Sequence, residues 1–218
     1  MMYPLSSVLE ELVVLIIGRC FEPRGRPYGG VAIFWSKELH QFAEIIETNN
    51  RRVFAVHIRN SANVNLQLAN VNINVYMPCE STNDEHEELF YGMVAVISHL
   101  TDTYPEAVLI LGGDFNVDFA RESTHCRALL SLCSQIDVLP VVKHVTSTVD
   151  FTCNLCMERF NSIHHFFVSK YVFDSCIESV SVCHDVDNHS DHDSLLLHLN
   201  ICWSAHAYLS QTRSSATA

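Results

Sequence analysis

The chain has 218 residues, enough for one domain with a substantial core, and its 48% apolar against 17% charged composition excludes a disordered polymer. Thirteen Lys and Arg stand against 25 Asp and Glu, a formal charge of −12. That balance disfavours tight non-specific binding along nucleic acid, which needs a basic face, but leaves room for a site that touches a few phosphates. Nine cysteines, odd in number and irregularly spaced, read as reduced buried thiols rather than a disulfide framework.

Residues 1–23 form an unassigned N-terminal segment, in which Leu5–Ile17 fits either a short helix or a strand. The aliphatic run Leu12–Ile17 is too short to span a bilayer, and Glu10 and Glu11 stand where a signal peptide would carry basic residues. The expectation is a soluble intracellular protein, nuclear or cytoplasmic, with no membrane association.

Residues 24–202 read as a single domain. Arg24–Gly30 is a turn-rich basic loop, and Val31–Trp35 has the composition of a strand. Arg52–Arg59 alternates, with Phe54, Val56 and Ile58 on one face. A strand over Leu66–Tyr76 sets Val71, Ile73 and Val75 against Asn72, Asn74 and Tyr76, and Pro78 ends it.

The period then becomes helical. Asp84 with Glu87 opens a helix that carries Leu89, Phe90, Met93, Val94, Ile97 and Leu100, and Thr103 and Pro105 break it. Ala107–Phe115 reads as a strand, and Thr124–Ile136 as a helix burying Ala128, Leu129, Leu132, Cys133 and Ile136. Short strands are expected near Thr148–Thr152, Ile163–Ser169, Ile177–Val182 and Ser194–Ile201, and residues 203–218 read as a disordered tail. Many short strands with helices between pairs of them imply an α+β fold with a sheet-on-sheet core and helices outside.

Two strand ends carry chemistry. Leu109–Asn116 runs from apolar residues into Gly112 and Gly113, then Asp114, Phe115 and Asn116. Residues i and i+2 of a strand share a face, so Asp114 and Asn116 are expected side by side. An Asp beside an activated water is a general base, and an Asn amide can donate to a phosphate oxygen. Alone, the segment reads equally well as a turn after a strand, where Asp and Asn are common. Asn188–Asp193 precedes the second strand end, and its Asp191 and His192 could supply a metal ligand and a general acid or electrostatic clamp. A solvated polar loop is the plain alternative in a chain with 13 histidines. Two such motifs, each abutting an apolar strand, favour function. Cys153 and Cys156 with His164 and His165 make a weaker zinc motif, since no second such cysteine pair exists. Cys183, His184, His189 and His192 read as a His-rich loop rather than a metal site.

Gly29–Trp35, Asn74–Pro78, Leu111–Asn116 and Ser190–Asp193, in that order, resemble the endonuclease/exonuclease/phosphatase superfamily. The wording is closest to the apurinic-endonuclease-like domains of non-LTR retrotransposons, which also carry a reverse transcriptase. The resemblance implies a four-layer α/β/β/α sandwich of two packed mixed sheets, its N-terminal strands incomplete here. It implies a Mg²⁺ (or Mn²⁺)-dependent phosphodiesterase that nicks DNA, with the DNA backbone as substrate. Asp114 would be the base, Asn116 would bind and orient the phosphate, and His192 would contact phosphate oxygens. Tyr76 would support the phosphate or leaving group, although aromatic packing is the plainer role for it, and Asp191 would contribute to the metal site.

Two departures imply impaired or silent catalysis. The family's early strands carry an Asn and then a metal-binding Glu, whereas only 24 residues precede Gly25 and neither Glu10 nor Glu11 has a matching context. The family also places an Asp, which orients the catalytic His, where this chain has His164. A phosphatase acting on small or lipid phosphoesters is a second alternative.

Overall fold

The computed structural model describes residues 31–35, 37–59, 69–141, 151–155, 159–183 and 192–199. The expected N-terminal segment, the Arg24–Gly30 loop and the C-terminal tail lie outside these residues.

Ten strands and three α-helices follow a short 3-10 helix at Lys37–Leu39 among the described residues. They are β1 (Ala43–Ile46), β2 (Val53–Ile58), β3 (Asn70–Tyr76), α1 (Asp84–Thr103), β4 (Val108–Asp114), α2 (Thr124–Gln135) and β5 (Val138–Pro140). Then come β6 (Cys153–Leu155), β7 (Arg159–Asn161), β8 (His164–Ser169), α3 (Lys170–Ser175), β9 (Ile177–Cys183) and β10 (Ser194–Leu199). A mixed six-stranded sheet runs β1-β2-β3-β4-β8-β5, and β9–β10 and β6–β7 form two antiparallel pairs. Within the large sheet only β3 and β4 pair in parallel, with α1 as their crossover. The architecture is α+β, as the sequence indicates.

Both faces of the large sheet are buried. Val53, Ala55, Val71, Ile73, Val75 and Leu111 pack against Phe90, Met93, Ile97 and Leu100 of α1 and Leu129 and Leu132 of α2. At roughly 1.5–3 kcal/mol per large apolar side chain, this burial outweighs any helix propensity in α1. On the other face Ile110, Phe166 and Val168 meet Val180, Leu195 and Leu197 of the β9–β10 pair, so one sheet covers another. Phe54, Val56 and Ile58 share that face and pack with Ile33 and Leu39. Between them β3 turns Asn70, Asn72 and Asn74 inward, with Asn72 Nδ2 donating to Asn70 Oδ1 at 2.6 Å.

Several expectations need correction. Val31–Trp35 is not a strand; among the described residues its main chain is held by Asn74 Nδ2, which donates to Ala32 O at 2.8 Å. α1 begins at Asp84 as expected, capped by Asn83, whose side chain accepts from Glu85 N. Glu87 reaches His125 Nε2 at 3.1 Å, and Leu89, expected on the apolar face, is exposed. Of the strand expected at Thr148–Thr152, residues 148–150 lie outside the described residues, and Phe151 and Thr152 lead into β6. β5 and α3 escaped notice because runs of three and six residues carry too little periodicity. No described helix is long and apolar enough to cross a membrane.

Gly113 shows how tightly the sheet centre is built. Its φ is +145°, and a Cβ there would sit 2.1 Å from Val75 O. Gly92, in the middle of α1, has nothing within 4 Å of the same position. Gly113→Ala should therefore cost about 3 kcal/mol or more, while Gly92→Ala should stabilise by about 0.5–1 kcal/mol. Thermal melts of the two variants, moving in opposite directions, check the pair.

Candidate active site

The register of the sheet assembles the site. β4 pairs with β3 so that Asp114 lies beside Tyr76, and with β8 so that Asp114 lies opposite His164. Cross-strand neighbours share a face, so Tyr76, Asp114 and His164 form one row at one end of three strands. The same face carries Ile110 and Val168, the pair that β9 and β10 cover further along. His192 arrives from just before β10, through a bridge to Cys153 and an Asp193 N–H that donates to Thr152 O at 2.9 Å.

Asn116 joins the row by a different route from the one expected. β4 ends at Asp114, and Asn116 has a φ of +51°, so strand alternation does not extend to it. The turn brings the Asn116 backbone N–H to Asp114 Oδ1 at 3.0 Å. Asn116 Nδ2 donates to Met77 O at 2.7 Å and Oδ1 accepts from Cys79 Sγ at 3.1 Å, which fixes the amide's orientation and leaves one side-chain N–H for a ligand.

Asp114, His164 and His192 form a tight trio. His192 Nδ1 and His164 Nε2 are 2.9 Å apart, and Asp114 Oδ2 lies 3.9 Å from the first and 4.0 Å from the second. Burial pushes the Asp114 carboxyl up to about 6, offset in part by the Asn116 N–H and by His192. Burial, with the His192 and His165 imidazoles adding to it, holds His164 down at about 3. His164 is thus neutral across the physiological range and cannot serve His192 as a carboxylate would. Its neighbour His165 points to the opposite face, where Nε2–H donates to Val117 O at 2.6 Å among Phe115 and Phe119; burial lowers it to about 4.

Two participants were not legible from sequence. Thr152 is fully buried, and its Oγ1 accepts from both Ile163 N and His164 N at 3.1 Å. With its carbonyl on Asp193 it ties the His164 strand to the His192 segment, a role no motif announces. Arg52 places its guanidinium 4.9 Å from the Tyr76 ring centre and donates to Tyr76 O at 3.3 Å, bringing a cation to the site's edge.

The expected metal ligand Asp191 lies outside the described residues, as do Glu10, Glu11 and Cys156. Among the described residues, Asp114, His164 and His192 alone offer three metal-capable atoms, all within 4.8 Å of one another. One carboxylate oxygen and two imidazole nitrogens do not fit Mg²⁺, which takes octahedral oxygen ligation. His164 does enter a metal-capable cluster, but with Asp114 and His192 rather than with Cys153.

Because the Asp114 pKa is raised from 3.8 to about 6, its ionised form opposes folding. The favourable contribution is full below pH 4 and is lost as pH rises through about 6. In chelator, Asp114→Asn should thus be more stable than the parent at pH 8, by up to about 3 kcal/mol, and the gap should close toward pH 4; melts across that range check this. Thr152→Val leaves two main-chain N–H groups without their acceptor and should cost about 1–3 kcal/mol, whereas Thr152→Ser should retain most stability; denaturant titrations decide.

No protein-family model matches the chain, and no curated protein matches it in sequence. Solved structures do match. The endonuclease domain of TRAS1, a telomere-specific non-LTR retrotransposon, aligns over 87% of this chain and 79% of its own, with a TM-score of 0.59 and 14% identity. The 3′ phosphatase NExo from Neisseria, bound to product DNA hairpin, aligns over 69% of this chain with a TM-score of 0.52 and 16% identity. That alignment spans 65% of the Neisseria chain, as does the one with the 3′-5′ exonuclease NExo from Neisseria meningitidis at a TM-score of 0.51. The two-sheet core and these likenesses agree: the chain has the fold of the TRAS1 endonuclease domain and of NExo.

Proposed function

We propose that this chain is a divalent-metal-assisted phosphodiester hydrolase that nicks DNA, with weak turnover. The observation that carries the reading is the convergence of Tyr76, Asp114, Asn116 and His192 at one end of the sheet. A buried carboxylate, a fixed amide N–H and an imidazole together suit attack of water on a phosphodiester. The likeness to an endonuclease domain and to NExo bound to a DNA hairpin supports DNA as the substrate class.

Asp114 is the general base. Its raised pKa makes it a stronger proton acceptor than an ordinary Asp while leaving it mostly ionised at pH 7. The free N–H of Asn116 orients the phosphate, His192 contacts its non-bridging oxygens, and Tyr76, beside the Arg52 guanidinium, supports the leaving oxygen. A bound divalent ion would supply charge neutralisation at the phosphate. The Mg²⁺ or Mn²⁺ that the sequence resemblance implies would call on Asp191.

Weak turnover follows from His164. A carboxylate in that position would stabilise a cationic His192 as charge builds on the phosphate, and a neutral imidazole does so poorly. Full superfamily-level turnover should therefore be absent, with rates at least about 10²-fold below a relative with an intact Asp.

Supercoiled-plasmid nicking by the full chain with divalent metal tests the reading. Asp114→Ala and His192→Ala should abolish nicking, and His164→Asp should raise it by about 10-fold or more. Equal inertness of the parent, both alanine variants and His164→Asp would instead identify a silent relative. Phosphate release from soluble inositol phosphates without nicking would favour the phosphatase reading, toward which the charge of −12 leans.

A further inference from the structure

The geometry points to Asp114, His164 and His192 as a two-histidine, one-carboxylate site for a borderline transition ion of the Zn²⁺ class rather than for Mg²⁺. The three facing atoms, Asp114 Oδ2, His164 Nε2 and His192 Nδ1, make a triangle with sides of 2.9, 3.9 and 4.0 Å. The point equidistant from all three lies about 2.1 Å from each, within the usual Zn–N and Zn–O ranges of about 2.0–2.2 Å. The triangle is acute, so that point falls inside it. An ion at that point is coplanar with its three ligands, so tetrahedral ligation, with its fourth position open to water or a phosphate oxygen, would draw Asp114 Oδ2 a few tenths of an ångström closer to the imidazoles.

Donor chemistry agrees with geometry. Imidazole nitrogens suit Zn²⁺ and its neighbours, while Mg²⁺ dehydrates reluctantly and prefers oxygen. The carboxylate is oriented for the task, because Asn116 N–H occupies Oδ1 and leaves Oδ2 toward the imidazoles. Thr152 fixes the main chain of His164. Ligation replaces the 2.9 Å hydrogen bond between the two imidazoles and takes the tautomers with protons on His192 Nε2 and on His164 Nδ1, a buried atom with no hydrogen-bond partner among the described residues. The residue that stands where a carboxylate would face His192 is thus the one that completes a nitrogen-rich metal site.

This inference rests on the active-centre reading for its consequence and gives the same residues a second role, since with the ion bound Asp114 Oδ2 would be a ligand rather than the free base; its test is binding rather than turnover. The full chain, stripped with chelator, is dialysed against Zn²⁺ with and without excess Mg²⁺, and Co²⁺ is added separately as a visible-absorption probe. One Zn²⁺ should bind per chain and resist about 10³-fold more Mg²⁺. Bound Co²⁺ should show visible d–d bands without the thiolate charge-transfer band that any of the nine cysteines would give. Asp114→Asn, His164→Gln and His192→Gln should each weaken Zn²⁺ by about 10²-fold, with the exposed His40→Gln as an unaffected control. His164→Asp should weaken Zn²⁺ and strengthen Mg²⁺.

No Zn²⁺ binding, displacement by Mg²⁺, a thiolate band, or binding that survives all three substitutions would overturn the inference. If His164→Gln fails to fold by circular dichroism, the other two variants read the same site. A chain that binds Zn²⁺ but never nicks leaves this inference standing and removes the phosphodiesterase reading. Nicking with Mg²⁺ and no Zn²⁺ affinity does the reverse.

Discussion

Everything in this site hangs on where β4 lies between β3 and β8. The parallel ladder on one side and the antiparallel ladder on the other set Tyr76, Asp114 and His164 in one row. A slip of one residue in either pairing would turn one member of that row to the opposite face, among Val75 or His165 and the α1 core. Gly113 makes such a slip costly, since its φ of +145° and its approach to Val75 O leave no space for a side chain. Register is held by large apolar residues on both faces, so the core that stabilises the fold also aligns the chemistry.

The electrostatics follow from burial more than from net charge. Asp114 is only 7% exposed, which raises its pKa and makes the ionised form a cost to the fold. The same burial strips the proton from His164. An acid at that position would answer His192 with opposite charge, whereas an imidazole answers it with a second nitrogen. Exchanging His164 for an acid would therefore change the donor set of the centre without moving a strand.

Much of the fold was legible because the patterns are long. The Val71, Ile73, Val75 alternation and the Phe90, Met93, Ile97, Leu100 spacing each repeat often enough to specify an element and its buried face. The site was legible in part, because Asp114, Asn116 and His192 stand in motifs. Arg52 and Thr152 stand in none, and their roles come from contacts with residues 24 and 11 positions away. The Asn116 error has the same origin: alternation assumes that a strand continues, and the left-handed turn after Asp114 ends it.

The sequence by itself determined the longer elements, the α+β class and the residues that could do chemistry, because periodicity and residue type are local properties. It also determined that His stands where an Asp was expected. Only the tertiary structure decided that this His faces Asp114 and His192 at 4.0 and 2.9 Å, since those distances depend on ladder register and on a bridge from Cys153. Proximity between residues 50 and 78 positions apart is set by packing, and no local pattern encodes it.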